Sequence, residues 1–365
     1  MIKTVTSKKY LNQFIYFVKD LYKDEDHYIY PVFSILKKEL RKKVLQDQEY
    51  KAILSLKDEI VRGRLLYTFT YNQKRNQKIC YFSFCDLVDN QAVFDELFQF
   101  MEEDMIDHDI YYSEGTFTPY DPDNRRGVLV QGFDDDPVIF TTYNFPYYQK
   151  LYENYGFNKV HDTHSLHPKI NLDNYRKLKV FNEMFSRRFK VEVSPIDLKN
   201  IDQEIEDIHE ILQKATTDVI YQEAPSLELI KSVAENLRFL LKPEIVVIAR
   251  ETETKAPIGF AICLLDYNQI FKITKGKIKI LKFLRPLKYI NRSRGMMQYV
   301  VPKYQSTGLI VYMYDKIYDS FKKMGINRLE AGTIMEDNLR SMTSFAKFGG
   351  EAVKTYRIYG KEISR

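Results

Sequence analysis

The chain has 365 residues, of which 44% are hydrophobic and 29% charged, and its net charge is +5. These values exclude a disordered protein, and the length exceeds that of one ordinary core, so we expect two globular domains. The sequence has no apolar run of about 18 residues and no secretory leader pattern at its start, so it predicts a cytoplasmic protein without a membrane span.

Neither disulfides nor a metal site are expected. The cysteines form no C-x-x-C pair and are predicted to be small buried hydrophobes: Cys80, Cys85 and Cys263. Three histidines recur at intervals of three on a predicted strand, where such residues point to opposite faces and do not converge on one ion: His161, His164 and His167. The run Asp134-Asp135-Asp136 lacks the spacing of a calcium loop and is predicted to be a solvated turn.

The elements of the first half are predicted from hydrophobic spacing and strand propensity. They are, in order, a helix near 11–18, a Lys-rich helix at 31–48, a hairpin from 60–71 and 78–88, a helix capped by Asp89 or Asn90, a strand at 110–112, a helix at 143–156 and a strand at 157–164. A charged connection at 168–188 is predicted to be partly helical.

The second half repeats this plan of strand pair, strand, helix, strand, helix and strand. Its predicted strands are 191–193, 244–250, 258–265, 297–301, 328–334 and 353–359, and its predicted helices are 203–214, 227–241, 310–324 and 338–348. We therefore predict an α/β fold with mixed sheets (α+β). Its tandem domains are expected at 1–168 and 191–365, joined by a linker at 169–190.

One segment concentrates the positive charge. From Tyr267 to Tyr314 there are ten Lys and Arg residues and no Asp or Glu, so the rest of the chain is net acidic. We predict a basic amphipathic insertion at 267–295. On a helical wheel, the apolar Ile280, Phe283, Leu284, Leu287 and Ile290 oppose the basic Lys282, Arg285, Lys288 and Arg292, and Pro286 interrupts the helix. The pattern predicts contact of 276–294 with an anionic membrane or an acyl carrier protein, or else a solvated helix over the second core, and no DNA partner.

A phosphate cradle is predicted where the strand at 297–301 leads into the next helix. Unpaired N–H groups at a helix N-terminus favour an anion, and Gly308 lets the backbone approach it closely. The predicted binding residues are Val300, Val301, Gln305, Ser306, Thr307, Gly308 and Leu309. A gap between the strands at 297–301 and 328–334 is expected to admit the pantetheine arm of a CoA thioester.

Gln305 and Gly308 match the Gln/Arg-x-x-Gly-x-Gly/Ala loop of the GNAT acyltransferase superfamily, which this segment resembles. The second half ends like a GNAT domain at 334–338, 349–350 and 354–359, and the first half has similar segments at 132–134, 143–148 and 156–157. The resemblance covers nearly the whole chain and includes the bacterial ceramide synthase-like subfamily. It implies two tandem GNAT-like domains, with acyl-CoA or an acyl carrier protein as co-substrate and no tightly bound cofactor.

The sequence also departs from the GNAT pattern. Ile310 replaces the last small residue of the loop. In many GNAT enzymes a Tyr seven residues after the helix-opening Asn protonates the leaving thiolate, and counting from Asn338 gives Phe345. In the first half, the junction at 85–91 has two carboxylates and no glycine, so we expect no CoA there. Tyr152 stands at the acid-like position of that half and is expected to be a packing residue.

Two carboxylates, Glu336 and Asp337, end the strand that would face the thioester. They are the candidate catalytic residues, which would deprotonate or orient an amine, although Asp337 also fits the role of a helix cap. Asn338 is expected to contact pantetheine or to cap the helix.

The function predicted from these features is transfer of an acyl group from acyl-CoA, or from an acyl carrier protein, to an amine. The subfamily resemblance and the basic segment favour a lipidic amine, a long-chain sphingoid base, and peripheral contact with the inner face of the membrane. Two alternatives stay open: a non-catalytic GNAT-like binding or scaffold protein, and an aminoacyl transferase of the peptidoglycan-bridge type that uses charged tRNA.

Overall fold

The computed structural model describes residues 1–73, 75–116, 126–168, 172–216, 225–238, 240–277, 289–346 and 349–364. The chain forms two compact units. The first comprises Met1–His164, Tyr267–Leu287 and Val353–Arg365, and the second comprises Ser165–Asp266 and Lys288–Ala352. The expected domains, 1–168 and 191–365, divide the chain differently, since the described residues 267–277 and 353–364 belong to the first unit.

The N-terminal elements are β1 (Ile2–Thr4), α1 (Lys8–Tyr16), α2 (Val18–Leu21), α3 (Phe33–Leu40), β2 (Lys51–Lys57), β3 (Ile60–Asn72), β4 (Gln77–Leu87), α4 (Gln91–Ile106), β5 (Tyr112–Gly115), β6 (Val128–Gln131), α5 (Tyr147–Asn154), β7 (Asn158–His167) and α6 (Leu172–Arg188). A π-helical turn, Arg41–Gln46, continues α3. Asn90 caps α4 by accepting from the Val93 N–H at 3.2 Å, as the sequence predicted. Strands β1, β2 and β6 were not predicted.

The C-terminal elements are β8 (Val191–Pro195), α7 (Ile201–Ala215), α8 (Leu227–Leu237), β9 (Val246–Glu251), β10 (Pro257–Leu265), α9 (Asn268–Thr274), β11 (Arg292–Val300), α10 (Leu309–Met324), β12 (Arg328–Met335), α11 (Leu339–Ala346) and β13 (Glu351–Glu362). Short 3₁₀ turns lie at Leu198–Asn200, Pro243–Ile245 and Pro302–Tyr304. Among the described residues, no helix has the length and apolar composition that crossing a membrane requires.

The first unit contains a mixed sheet whose strands follow the order β1-β2-β3-β4-β5-β13, with β6 also paired to β13. The pairs are antiparallel except β4 with β5, which is parallel. Buried side chains of β3, β4, α4 and α5 form one core cluster, and those of α1, α3 and β2 form another. The sheet thus has helices packed against it, as an α/β fold requires.

The run 134–136 forms a turn in which Asp134 is exposed, but Asp135 and Asp136 are anchors, so the prediction of solvated carboxylates is wrong for these two. The Asp135 carboxylate accepts from the fully buried Lys354 at 2.8 Å. Asp136 accepts from Lys272 at 2.7 Å and is bonded to His27 at 2.8 Å. These contacts attach β13 and α9 to the first unit, because charged side chains that lose water need a partner of opposite charge.

The second unit contains the order β8-β9-β10-β11-β12, antiparallel except for the parallel pair β11 and β12. Helix α10 contacts β9, β10 and β11, and α7 contacts β10 and β11. Arg250 of β9 donates to Asp207 at 2.6 Å and to Glu204 at 2.8 Å, which fixes α7 to the sheet. Each unit is therefore a mixed sheet with helices, and the predicted fold class is confirmed.

The basic segment differs from its prediction where the structure describes it. Arg292 and Arg294 are almost fully buried on strand β11, where Arg292 pairs with Asp266, so they do not lie on an exposed helical face. Residues 268–274 do form a helix. Residues 278–288, which carry the core of the predicted amphipathic helix, lie outside the described part of the chain.

A buried ion pair in the first unit gives a test of this packing. Arg64 has no exposed surface; its Nε donates to Asp86 at 2.8 Å, and Tyr22 donates to the same carboxylate at 3.0 Å. Arg64→Met leaves Asp86 partly unpaired, and we expect it to lower the free energy of unfolding of this unit by about 3 kcal/mol in urea titrations. The control Lys23→Met, at the exposed pair with Asp24 in the same unit, should change it by less than about 0.5 kcal/mol. Equal losses of unfolding free energy in the two variants would show that the buried pair contributes no more than the exposed one.

Candidate functional site

The candidate site is the fork between β11 and β12. These parallel strands pair from Arg292 with Arg328 to Gly295 with Ala331, although β11 continues to Val300 and β12 to Met335. Residues 296–299 and 332–333 change from buried to partly exposed at the same point. The predicted divergence of the strands is confirmed, and it starts at the Gly295–Ala331 pair.

A β-bulge lies directly at the fork. Ile262 of β10 pairs with Met297 and Cys263 pairs with Gly295, so Met296 is an extra residue on β11. A bulged residue is left out of the ladder and bends its strand. The bulge therefore bends β11 at the point where its pairing with β12 ends.

Arg294 supports the fork from one side of the strand pair. This side chain is 1% exposed, and its Nε donates to the carbonyl of Gly332 at 2.9 Å. Gly332 is the first residue of β12 beyond the last backbone pair. The guanidinium thus bonds to a carbonyl just beyond the last β11–β12 pair, which stabilises β12 where the two strands separate.

The loop from Val301 to Gly308 lies at the open end of the gap, and hydrogen bonds within it hold its shape. Gln305 Nε2 donates to the carbonyl of Val300 at 3.1 Å, and Thr307 Oγ1 donates to the carbonyl of Tyr304 at 2.6 Å. Ser306 has φ +62° and Gly308 has φ +97°, both in the left-handed region. Lys303 and Tyr304 bond to Glu251 at 2.8 and 2.6 Å and lower the pKa of that carboxyl to about 2.

The loop presents backbone donors at the start of α10. Gly308 is the N-cap and has no side chain to cap the helix. Among the described residues, the N–H groups of Gly308, Ile310 and Val311 have no acceptor. Unpaired N–H groups at a helix N-terminus are the arrangement that binds a phosphate or another anion.

Phe181 of α6 lies against this loop. A Cβ atom at position 308 would be 2.2 Å from the Phe181 Cζ, so the ring covers the glycine. The same helix packs on α10 through Phe185, whose ring centroid is 5.1 Å from that of Tyr312. An anion that approaches Gly308 from this side must displace the Phe181 ring.

The sequence-predicted carboxylates lie at the far end of β12. Glu336 is partly buried and Asp337 exposed, both in the turn after Met335. Asn338 Oδ1 accepts from the Ser341 N–H at 3.1 Å, so Asn338, not Asp337, caps α11. Glu336 is five residues beyond the fork, about 16 Å along a strand. The loop and these carboxylates thus flank the mouth of the gap, because both follow carboxyl ends of parallel strands.

No pattern in the sequence indicated a role for three residues at the fork, which are Gly295, Gln298 and Tyr314. A Cβ atom on Gly295 would lie 2.9 Å from the Tyr314 hydroxyl of α10, and that hydroxyl is within hydrogen-bonding reach of the Cys263 thiol. Gln298 has a buried side-chain oxygen with no partner among the described residues. Tyr314 fitted the apolar stripe of its helix, and Gln298 stood between apolar strand residues, so neither had a local signal.

The corresponding junction of the first unit is filled by its own side chains. Strand β4 pairs with β5 over three residues, and beyond them the Leu87 N–H donates to the Tyr148 hydroxyl at 2.8 Å. The Tyr147 hydroxyl donates to the Leu87 carbonyl at 2.7 Å. Tyr152 is fully buried and stacks on Tyr359 at 4.8 Å, as expected of a packing residue.

The three histidines of β7 have separate environments. His164 bonds to Thr355 at 3.1 Å and His167 bonds to the Leu329 carbonyl at 2.8 Å, while His161 is buried. Within the described ranges, no group of three or more His, Cys, Asp or Glu side chains is placed to hold a metal ion.

Comparison with known proteins finds distant relatives over most of the chain. No protein-family model matches. Protein YghO of Escherichia coli K12 is 23% identical over 389 aligned positions, covering 100% of this chain and 95% of that protein. The bacterial ceramide synthase of Caulobacter vibrioides is 26% identical over 293 positions, covering 75% of this chain and 73% of that protein.

A solved structure supports the fold that the sequence motifs predict. The tandem GNAT protein from the clavulanic acid biosynthesis pathway superposes with a TM-score of 0.58 at 10% identity, covering 100% of this chain and 99% of that one. The tandem GNAT-type fold that the sequence motifs predicted is therefore confirmed.

The contact between Phe181 and Gly308 generates a stability prediction. Gly308→Ala adds a methyl group into the Phe181 ring at φ +97°, and we expect a loss of about 2–3 kcal/mol in urea unfolding of the second unit. The matched control is Gly325→Ala, where φ is +75° but no atom lies within 4 Å, and the expected loss is about 1 kcal/mol. Adding Phe181→Ala should remove the difference between the two variants. An unchanged difference would mean that Phe181 does not cover Gly308.

Proposed function

We propose that this chain is an N-acyltransferase that moves an acyl group from an acyl-CoA thioester to an amine, with the donor bound in the fork of the second unit. One observation carries the proposal. The paired strands β11 and β12 separate at Gly295 and Ala331, and a loop with unpaired N–H groups follows β11 at the open end. A CoA thioester needs both features, a slot for the pantetheine arm and a cradle for the pyrophosphate.

The cradle is proposed to comprise the loop that the sequence indicated, with Asn338 across the mouth of the gap. Its residues are Val300, Val301, Gln305, Ser306, Thr307, Gly308 and Leu309. Gln305 and Thr307 hold the loop shape through bonds to backbone carbonyls, and the N–H groups of Gly308, Ile310 and Val311 face the anion. Val301 donates its own N–H to Ile258 at 3.0 Å, so it contributes position rather than a donor.

The reaction follows from this placement. With pyrophosphate at the loop, the pantetheine arm extends toward the fork, and the thioester carbonyl accepts from the N–H of the bulged Met296. The amine nitrogen attacks the carbonyl carbon, the C–N bond forms and the C–S bond breaks. Positioning and backbone stabilisation of the developing oxyanion supply most of the rate. The roles of Glu336 and Asp337 with the amine stay a prediction.

A long-chain sphingoid base is the proposed acceptor. The Caulobacter relative is a ceramide synthase by name, and the basic segment supplies charge for a lipid surface. On the described flanks of that segment, Ile273 is 75% and Tyr289 69% exposed, and Lys275 and Lys277 are also exposed. Exposed apolar side chains beside lysines are typical of residues that contact an anionic membrane.

The donor site is tested at Ser306, which is exposed and has a left-handed backbone that Asp and Asn tolerate. Ser306→Asp places a negative charge beside the Gly308 N–H and should raise the dissociation constant of acyl-CoA about tenfold, measured by titration calorimetry. Ser306→Asn has the same shape without the charge and should stay within about twofold of the wild type. Equal affinities of the two variants would show that this loop is not the cradle.

The activity is tested by mass spectrometry of amide formed from long-chain acyl-CoA and a sphingoid base. Amide product that falls in Ser306→Asp in parallel with donor affinity supports the proposal. Acylation of small water-soluble amines alone would overturn the lipid acceptor and leave the acyltransferase standing. Tight binding of acyl-CoA without any amide product would instead indicate a non-catalytic binding protein.

The membrane proposal is tested with anionic and neutral phospholipid vesicles. We expect salt-sensitive binding to anionic vesicles, because each Lys or Arg near the surface contributes roughly 1 kcal/mol. Replacing Lys282, Arg285 and Lys288 with Glu should abolish binding and lower amide formation more than CoA affinity. The control replaces the exposed Lys57, Lys199 and Lys323 with Glu, which changes the net charge equally elsewhere. Equal losses in both triple variants would reduce the effect to net charge.

A further inference from the structure

The fork contains a hydroxyl group on the helical side of β11. Tyr314 extends from α10 to Gly295, where a Cβ atom would lie 2.9 Å from its oxygen. Gly295 and Ala331 form the last backbone pair before the strands diverge, and the bulged Met296 follows directly. The absence of a side chain at position 295 therefore leaves the space into which the Tyr314 hydroxyl fits.

The Tyr314 ring is also next to Phe345. The two ring centroids are 6.0 Å apart in an edge-on arrangement, and both rings belong to the cluster of Ala331, Ile334 and Met342. Phe345 stands at the position where the resemblance to GNAT enzymes implies a tyrosine. A neighbouring helix thus brings a tyrosine hydroxyl to the same cluster.

The other proton donors near the gap are less well placed. Glu336 and Asp337 follow the end of β12, about 16 Å along the strand from Ala331. The Cys263 thiol is fully buried, and burial raises its pKa to about 12. Tyr314 retains some exposed surface while it packs against Phe345, as expected of a side chain that lines the gap.

We propose that Tyr314 is a catalytic residue, the general acid that protonates the leaving thiolate in place of the position occupied by Phe345. The inference rests on the proposed acyl transfer. As the C–N bond forms and the C–S bond breaks, the thiolate sulfur takes the hydroxyl proton of Tyr314. The nitrogen of the new amide loses one proton to solvent, and the tyrosinate regains one from solvent, so the proton count balances.

The environment of Tyr314 keeps its hydroxyl protonated. Burial beside Cys263 raises the pKa of the phenol well above its usual range. The hydroxyl is therefore protonated throughout the neutral pH range and can donate at each turnover. The raised pKa also makes the phenol a weaker acid than tyrosine in water, so its role rests on the placement of the hydroxyl at Gly295.

The test measures amide formation by Tyr314→Phe, with Tyr318→Phe, one turn further along α10, as the matched control. With long-chain acyl-CoA and a sphingoid base, Tyr314→Phe should lower turnover about 100-fold and leave the dissociation constant of acyl-CoA within about twofold. Tyr318→Phe should change neither value. A purely structural role would instead reduce donor affinity or the melting temperature along with the rate.

Two further measurements test whether the loss of proton donation causes the loss of turnover. An acyl thioester of 4-nitrothiophenol has a leaving group that needs no acid, so wild type and Tyr314→Phe should differ by less than about threefold with it. Adding Phe345→Tyr to Tyr314→Phe should recover at least tenfold of the lost turnover with acyl-CoA. An active wild type whose rate is unchanged in Tyr314→Phe, or an equal loss with both thioesters, would overturn this inference alone. A wild type that forms no amide would overturn the proposed function and the inference with it.

Discussion

The separation of β11 from β12 after a single short stretch of parallel pairing is the constraint on which the candidate site depends. Backbone hydrogen bonding between neighbouring strands normally continues, because each buried N–H or carbonyl left unpaired destabilises the fold. Here three features offset that loss: the bulge at Met296, the bond from Arg294 to the Gly332 carbonyl, and the packing of Tyr314 on Gly295. The slot is thus part of the folded sheet and does not need a ligand to open it.

The two units have a similar order of elements, but their strand-to-helix junctions differ. In the first unit, β4 and β5 also pair over a short stretch, but Tyr147 and Tyr148 bond to the backbone of Leu87 where a ligand would need those groups. In the second unit, the corresponding helix starts at a glycine with no cap, and its N–H groups have no acceptor among the described residues. In the first unit, side chains thus bond to the backbone groups of the junction. In the second unit, the backbone N–H groups of the junction stay available to a ligand.

Much of the fold was predictable because its signals are local. The stripe of α10, the strand pair β9 and β10, and the turn at Gly308 follow from residue spacing and glycine. The loop residues of the candidate site came from the same motif. The structure adds that Gln305 and Thr307 act within the loop, by closing it.

The errors share a physical cause, which is that partners distant in sequence decided the structure. Arg292 was predicted on an exposed helical face, yet it lies buried on a strand, where Asp266 is its partner. The Asp135 and Asp136 carboxylates looked solvated and instead bind Lys354 and Lys272, from segments more than 130 residues away. Tyr314 looked like a core residue because its meeting with Gly295 has no local signature.

The most direct measurement of the central claim is a crystal structure with a non-hydrolysable acyl-CoA analogue. The account predicts the pantetheine arm between β11 and β12, the pyrophosphate on the N–H groups of Gly308, Ile310 and Val311 with the Phe181 ring displaced, and the acyl carbonyl on the Met296 N–H next to Tyr314. Density for the analogue in the first unit, or β11 and β12 closed into continuous pairing with the analogue bound elsewhere, would contradict it.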